Sequence, residues 1–122
     1  MRYTLLFHYQ EATTEELGPE LLAEGQRAMT SYAATLHAAG VLIGGEVLHT
    51  SELSTTVRVV DGAARVQDGP YADTKEQLGG TIVIDVPDLD AAIEWARQAP
   101  QAQWGTVEVR PVATYLVDGV WS

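Results

Sequence analysis

The feature that most constrains the fold is a strand–helix–strand pattern that the sequence repeats. In the first copy, positions 3–9 are rich in aromatic and aliphatic residues, and apolar residues then recur at helical spacing from Pro19 to position 39. In the second copy, a strand at 81–86 precedes Asp88, a favoured helix N-cap residue, and a further helical stripe. Two such copies predict an α+β fold with both helices on one face of an antiparallel sheet.

Further segments complete the predicted sheet. The remaining strands are predicted at 41–48, 55–60, 64–67 and 106–112. Asp61 and Gly62 lie between two of them, and Asp-Gly is a strong signal for a two-residue hairpin turn. The complete order predicts a ferredoxin-like βαββαβ fold with an inserted β-hairpin. In this topology the first strand lies between the third and fourth main strands and runs antiparallel to both.

The face of this sheet that is turned away from the helices is expected to need a cover. In the predicted central strands, neither alternating set of side chains is wholly polar. A large exposed apolar face is normally covered, and a second copy of the chain is the simplest cover. We therefore expect residues 1–122 to form one domain that pairs as a homodimer of the dimeric α/β-barrel type.

Composition limits the partners and the location. Seventeen acidic residues against seven Lys and Arg give a net charge of −10, and the basic residues are scattered, so nucleic acid is not an expected partner. Without cysteine, disulfides, thiol catalysis and thiolate metal sites are excluded. No apolar run approaches the ~18 residues that a membrane span needs, and no signal peptide is evident. A cytoplasmic location without membrane association is expected.

A dense run of turn formers, charges and glycines separates the predicted hairpin from the next strand. Over residues 68–80 its sequence is DGPYADTKEQLGG. The Asp-Gly-Pro start predicts a turn, because glycine tolerates a positive φ and proline fixes its own φ. Gly79 and Gly80 predict a close approach of the backbone to a neighbouring group.

This run resembles the DGPF motif of the YCII-related proteins, which are small dimeric α/β proteins. Tyr71 stands where that motif usually has Phe, and Asp73 where it often has Glu. The resemblance extends over residues 3–112. It implies a homodimer of undefined activity and, for some members, an accessory role beside extracytoplasmic-function sigma factors.

The resemblance also implies a catalytic His–Asp pair, of which this chain has one member. Asp68 is the nearest match to the Asp, but the first helix carries Met29 and Thr30 about where the His is expected. Asp68 is the first catalytic candidate as a proton acceptor, or else its carboxylate binds the amides of its own turn. His8 is the second candidate as a substitute titrating group, or else a strand-end histidine with local hydrogen bonds.

The predicted topology gathers further polar side chains at one rim of the sheet. Strands one and two run parallel, so His8, Glu46 and His49 are expected to emerge at the same end, where residues 68–80 enter. The ligand-binding candidates are therefore Glu46, His49, Lys75 and Glu76. The alternatives are a salt-bridged loop for Lys75 and Glu76 and a plain loop position for His49.

No cofactor is predicted. The sequence lacks a phosphate-binding glycine loop, and a metal site from His8, His49 and Glu46 has no supporting close spacing. Two functions remain open: binding of a small polar organic molecule with cofactor-free acid–base chemistry, such as elimination or isomerisation, or a non-catalytic accessory module. A purely structural dimer is a third alternative.

Overall fold

The computed structural model describes residues 1–12 and 14–122, which form an α+β arrangement of two helices and antiparallel sheets. The elements in chain order are β1 (Arg2–Tyr9), α1 (Thr14–Ala38), β2 (Leu42–Val47), β3 (Thr55–Val60), β4 (Ala63–Asp68), β5 (Gln77–Asp85), α2 (Leu89–Gln98), β6 (Thr106–Pro111), β7 (Leu116–Val117) and β8 (Val120–Trp121). Short 3-10 turns lie at Ser51–Leu53 and Pro100–Gln103.

Four strands form the main sheet in the order β2-β5-β1-β6, with antiparallel neighbours throughout. The prediction that β1 lies between the third and fourth main strands is confirmed. His8 pairs with Leu78 on β5 and with Thr106 on β6, whereas Glu46 on β2 pairs with Thr81. The carboxyl ends of β1 and β2 therefore lie at the same end of the sheet. The described strands do not close into a barrel, since β2 and β6 remain as edges.

Alternate residues of β1 face two different environments. Tyr3, Leu5 and Phe7 are buried, with exposed fractions of 4%, 0% and 2%. They belong to one apolar cluster with side chains from both helices and from β5. Leu6 and His8 alternate with them on the opposite side of the strand and are only partly buried. One face of β1 therefore forms the core, and the other, here called the open face, remains accessible.

Local sequence signals explain the helix boundaries. Gly18 interrupts α1 with a φ of 77°, and the main part of the helix then begins at Pro19, which suits a first helical position. Asp88 caps α2 as predicted, because its carboxylate accepts a hydrogen bond from the Ala91 amide at 2.9 Å. The two helices are also joined directly, because the Tyr32 hydroxyl donates to the Trp95 carbonyl at 2.6 Å.

The strand predicted at 81–86 begins earlier than expected, at Gln77, and includes both glycines of the motif. A Cβ at Gly80 would lie 2.7 Å from the carbonyl oxygen of Glu46, so glycine here permits the close pairing of β2. A Cβ at Gly79 would lie 2.1 Å from Cζ of Tyr9, whose ring covers this position. The close approach predicted for Gly79 and Gly80 is therefore to groups of the protein itself, namely the Tyr9 ring and the Glu46 carbonyl. Both glycines lie within β5, not before it as expected.

Both peripheral hairpins turn on an Asp-Gly pair. Asp61 and Gly62 have φ angles of 51° and 79°, as a type I′ turn requires, and the predicted inserted hairpin is confirmed as β3 and β4. Asp118 and Gly119 have φ angles of 50° and 78° and join β7 to β8 in the tail, to which the sequence analysis assigned no structure. The same dipeptide would have identified this second hairpin.

Candidate functional site

A cavity of about 830 Å³ opens at the end of the main sheet where β1 ends and β5 begins. Its polar lining residues include His8, His49, Thr50, Thr74, Glu76 and Thr106. Its apolar lining residues include Leu48, Leu53, Pro70, Tyr71 and Leu78. We call it the rim cavity. It brings three of the predicted site residues together, namely His8, His49 and Glu76.

His8 is held by a carboxylate on the neighbouring strand. Its Nε2 lies 3.1 Å from Oε1 of Glu108, and the two side chains are 28% and 36% exposed. The other oxygen of Glu108 accepts a hydrogen bond from the Arg110 guanidinium. The hydrogen bond from Arg110, and then that from His8, hold the pKa of Glu108 below its usual range. The carboxylate therefore stays ionised beside the imidazole.

This arrangement determines which histidine nitrogen is available to a ligand. An ionised carboxylate accepts hydrogen bonds only, so Nε2 of His8 carries the proton that points at Glu108. In the neutral imidazole, Nδ1 is then the unprotonated nitrogen and the proton acceptor. If His8 takes up a second proton, the imidazolium remains paired with Glu108.

Glu76 is fixed at the same end of the sheet by its own loop and by β6. The Thr106 hydroxyl donates to Oε1 of Glu76 at 2.8 Å, and Thr106 is paired with His8 across the sheet. The Thr74 hydroxyl donates to the backbone carbonyl of Glu76 at 2.6 Å. The Glu76 carboxylate is therefore attached to the strand adjacent to His8, although the two residues lie far apart in sequence.

A carboxylate on the first connection anchors the loop that carries His49. Both carboxylate oxygens of Glu11 accept from the Ser51 amide, at 3.0 and 2.9 Å. Ser51 opens the short 3-10 turn Ser51–Leu53, and its first and last residues line the rim cavity with His49. Glu11 thereby positions one wall of the cavity without lining it.

Two predicted residues of the motif lie beside the rim cavity but do not line it. Asp68 is the exposed last residue of β4, and Lys75 is exposed in the following loop. Among residues 1–12 and 14–122, the Asp68 carboxylate has no hydrogen bond to His8, to Glu46 or to an amide of its own turn. The Gly69 amide donates instead to the Ser54 carbonyl, at 2.8 Å. The predicted roles of Asp68 and Lys75 stay predictions.

Glu46 lines a different space, here called the second cleft, of about 440 Å³ between α1 and the β2 edge of the sheet. Met29 and Thr30 also line this cleft, so the helix position at which the resemblance implies a histidine faces it as well. Gln101 lines it too and is 5% exposed, and its Oε1 has no hydrogen-bond partner within the described part of the chain. The predicted rim therefore divides into two spaces, and Glu46 does not share one with His8.

In residues 1–12 and 14–122, no group of three or more His, Asp or Glu side chains is arranged to hold a metal ion. Neither α1 nor α2 combines the length and the apolarity that crossing a bilayer requires.

Comparison with known proteins places this geometry in a family. The family model of the YCII-related domain matches residues 1–115. The chain belongs to the YCII-related family. A relative in Rhizobium meliloti (strain 1021), named only as an uncharacterized protein, is 36% identical over 120 residues, which is 94% of each chain. The family resemblance carried by residues 68–80 is thus confirmed, and the activity of the family remains undefined.

Two carboxylates that position the wall of the rim cavity, Glu108 and Glu11, are absent from the predicted site residues. Glu108 contacts His8 and Arg110 of its own chain. Glu11 accepts hydrogen bonds from the Ser51 amide. The strand register could have found Glu108, because His8 and Thr106 are opposite each other and Glu108 lies two residues further on the same face.

Proposed function

We propose that this YCII-related protein binds a small organic molecule in the rim cavity and that His8 exchanges a proton with it, without a cofactor. The observation that carries the proposal is the pairing of His8 with Glu108 in the wall of this cavity. A histidine beside an ionised carboxylate keeps one tautomer and tolerates a second proton. These are the properties that a general base needs.

The proposed chemistry is a proton transfer such as an elimination or an isomerisation. Nδ1 of His8 takes a proton from the bound molecule, and the imidazolium that forms is stabilised by Glu108. In an isomerisation the imidazolium returns this proton to another atom of the same molecule. In an elimination the leaving group departs with the electron pair of its broken bond and takes up the proton, which restores the neutral imidazole. Glu76 and His49 orient polar groups of the molecule, and the apolar wall of Leu48, Leu53 and Leu78 binds its body.

Protein NMR with a fragment set of neutral, acidic and basic small molecules tests the binding. The chain has three histidines, and His37 lies exposed on α1 away from the cavity, so it serves as an internal reference. We expect fragments that bind to shift the imidazole signals of His8 and His49 and to leave those of His37 unchanged. A set in which no member shifts His8 or His49 would contradict the proposal.

Asp68 keeps a proposed supporting role as a second proton acceptor near the mouth of the cavity. Its carboxylate is exposed and directly precedes Gly69 and Pro70, and Pro70 lines the cavity. Asp68→Asn is expected to weaken fragment binding without changing the melting temperature, whereas the matched change Asp73→Asn leaves both unchanged. A lower melting temperature with unchanged binding would assign Asp68 to the turn alone.

We further propose that the chain is ferredoxin-like and forms a homodimer through its open sheet face. The strand order and the partly buried Thr4, Leu6 and Val83 on that face support this. Size-exclusion chromatography with light scattering is expected to give twice 13.2 kDa. Val83→Asp is expected to give the mass of one chain, and Ile93→Asp on α2 retains the dimer. A wild-type protein of single-chain mass would contradict this.

A second candidate function is the non-catalytic accessory module. One observation favours it: the β3–β4 hairpin forms a separate sheet and exposes Val57, Val59 and Val66 by 63–71%. Such a hairpin face is suited to binding a protein partner. This function is favoured if fragments leave His8 unaffected while the wild-type chain binds an extracytoplasmic-function sigma factor and Val59→Lys abolishes that binding.

A further inference from the structure

The polar groups on the wall of the rim cavity are matched to a ligand that donates hydrogen bonds. The lining residues include the Glu76 carboxylate and His8, whose Nδ1 is an acceptor in the neutral ring. Lys and Arg are missing from the lining residues of the described chain. An anionic ligand would therefore meet no Lys or Arg side chain among the described lining residues of this wall.

Glu76 retains capacity for a ligand after its bonds within the protein are counted. Its Oε1 accepts from the Thr106 hydroxyl, which leaves further lone pairs on both oxygens. Within residues 1–12 and 14–122, Oε2 has no hydrogen-bond partner. A carboxylate that is held in place by a neutral hydroxyl keeps its full negative charge, and a cation is the natural counterpart of that charge.

An aromatic ring and the negative net charge of the chain add to this preference for a cationic ligand. Tyr71 lines the cavity with its ring 90% exposed, and a ring face attracts a nearby cation. The chain carries a net charge of −10, which favours the approach of cations to the open cavity. The positive charge of Lys75, in the neighbouring loop, opposes the approach of cations. However, Lys75 is exposed and does not line the cavity, and the acidic residue Asp73 lies two positions away.

We propose that the ligand of the rim cavity is an organic cation: a small apolar or aromatic body that carries a protonated amine. Glu76 pairs with the ammonium group, the face of Tyr71 borders it, and the leucines of the wall contact the apolar body. This inference rests on the proposed function, because it concerns the same cavity, and it assigns that cavity a class of ligand.

Three probes of the same shape and different charge test the inference. Benzylammonium, benzyl alcohol and benzoate are titrated into the full chain at one common pH. Dissociation constants are taken from the NMR shifts of residues that line the cavity. Benzylammonium is expected to bind roughly ten-fold more tightly than either other probe, and this preference is expected to shrink at high salt.

Two variants separate the Glu76 carboxylate from the general charge of the chain. Glu76→Gln is expected to weaken benzylammonium roughly ten-fold and to leave benzyl alcohol unchanged. Glu52→Gln makes the same charge change in the adjacent exposed turn, at a position that does not line the cavity, and is expected to leave both probes unchanged. If both variants weaken benzylammonium binding equally, only the overall negative charge of the chain attracts the probe, and the inference is overturned.

The outcomes also distinguish this inference from the proposed function. Binding of benzoate that equals or exceeds that of benzylammonium, with shifts at His8, overturns the cationic ligand and leaves the cavity as a binding site. A lack of saturable shifts from benzylammonium overturns the inference directly. The proposed function fails only if the wider fragment set also leaves His8 and His49 unshifted.

Discussion

The two faces of β1 differ in burial, although their residues alternate along a single strand. Leu5 is fully buried against the helices, whereas its neighbour Leu6 lies on the open face and is partly accessible. His8 follows on the face of Leu6, at the end of the strand, where a carboxylate and a cavity meet it. One strand thus supplies the core with its odd residues and the candidate site with its even ones, so stability and binding can be changed separately.

The largest expected effect is the contrast between the two adjacent leucines. Leu5→Ala leaves a cavity in a packed core and should lower the free energy of unfolding by about 2–5 kcal/mol. Leu6→Ala removes contacts from a partly covered face and should cost about 1 kcal/mol. Urea denaturation of both variants in the single-chain Val83→Asp background measures the difference, because the proposed dimer would cover Leu6. Equal losses would mean that the open face is packed as tightly as the core.

The next effect concerns the hydrogen bond that joins the helices on the covered face. Tyr32→Phe leaves the Trp95 carbonyl without its hydroxyl donor and should cost about 1–3 kcal/mol in unfolding free energy. Tyr115→Phe is the control, because that ring is partly exposed and keeps its contact with Arg2, and it should change stability by less than about 0.5 kcal/mol. Comparable losses of unfolding free energy in both variants would contradict the contribution assigned to the Tyr32 hydroxyl.

The same residue predicts how the covered face responds to alkali. Burial raises the pKa of Tyr32 to about 12 from 10.0, so the neutral phenol is favoured in the folded chain. The unfolded chain ionises first, and the stability contributed by the neutral phenol is complete below pH 10 and is lost as the pH rises towards about 12. Tyr32→Phe should lose less stability over this range than the wild type does. An equal loss would contradict the assignment.

The smallest expected effect is a titration on the open face. Arg110 and then His8 lower the pKa of Glu108, so the stability gained from its ionised form is present above the usual glutamate range and is lost as the pH falls through the lowered pKa. Carbon NMR of the Glu108 carboxyl should show that Arg110→Gln raises this pKa more than His8→Gln does. Arg58→Gln on β3 should not change it. A larger rise of the Glu108 pKa in His8→Gln than in Arg110→Gln would show that His8 is the stronger partner and would contradict this prediction.

The contrast between the faces also shows what the sequence could predict. Signals between near neighbours were sufficient for the Asp61-Gly62 turn and the Asp88 cap, and the repeated pattern was sufficient to place β1 at the centre of the sheet. The His8–Glu108 pair joins residues that lie 100 positions apart, and it depends on strand register. The bulge between Phe7 and His8 is a separate irregularity: it lies in the β1–β5 pairing and sets which β5 residue is opposite His8, and no local pattern encodes it.

The division of the predicted rim into the rim cavity and the second cleft also depends on contacts between elements that are distant in sequence. Glu46 and His8 were correctly placed at one end of the sheet, but the lining of the second cleft depends on how α1 lies across β2 and β5. Helix packing of this kind is set by side chains from several elements together. Glu11 was missed because its bond to Ser51 spans two connections of irregular structure.

The most direct test of the account compares two histidine variants in one experiment. His8→Gln and His37→Gln each remove one imidazole, the first from the rim cavity and the second from the exposed surface of α1. Melting temperature and fragment affinity are measured for both. The account predicts that both variants melt like the wild type and that only His8→Gln loses affinity. Unchanged affinity in His8→Gln, at unchanged melting temperature, would contradict the assignment of the open face of β1 as the functional site.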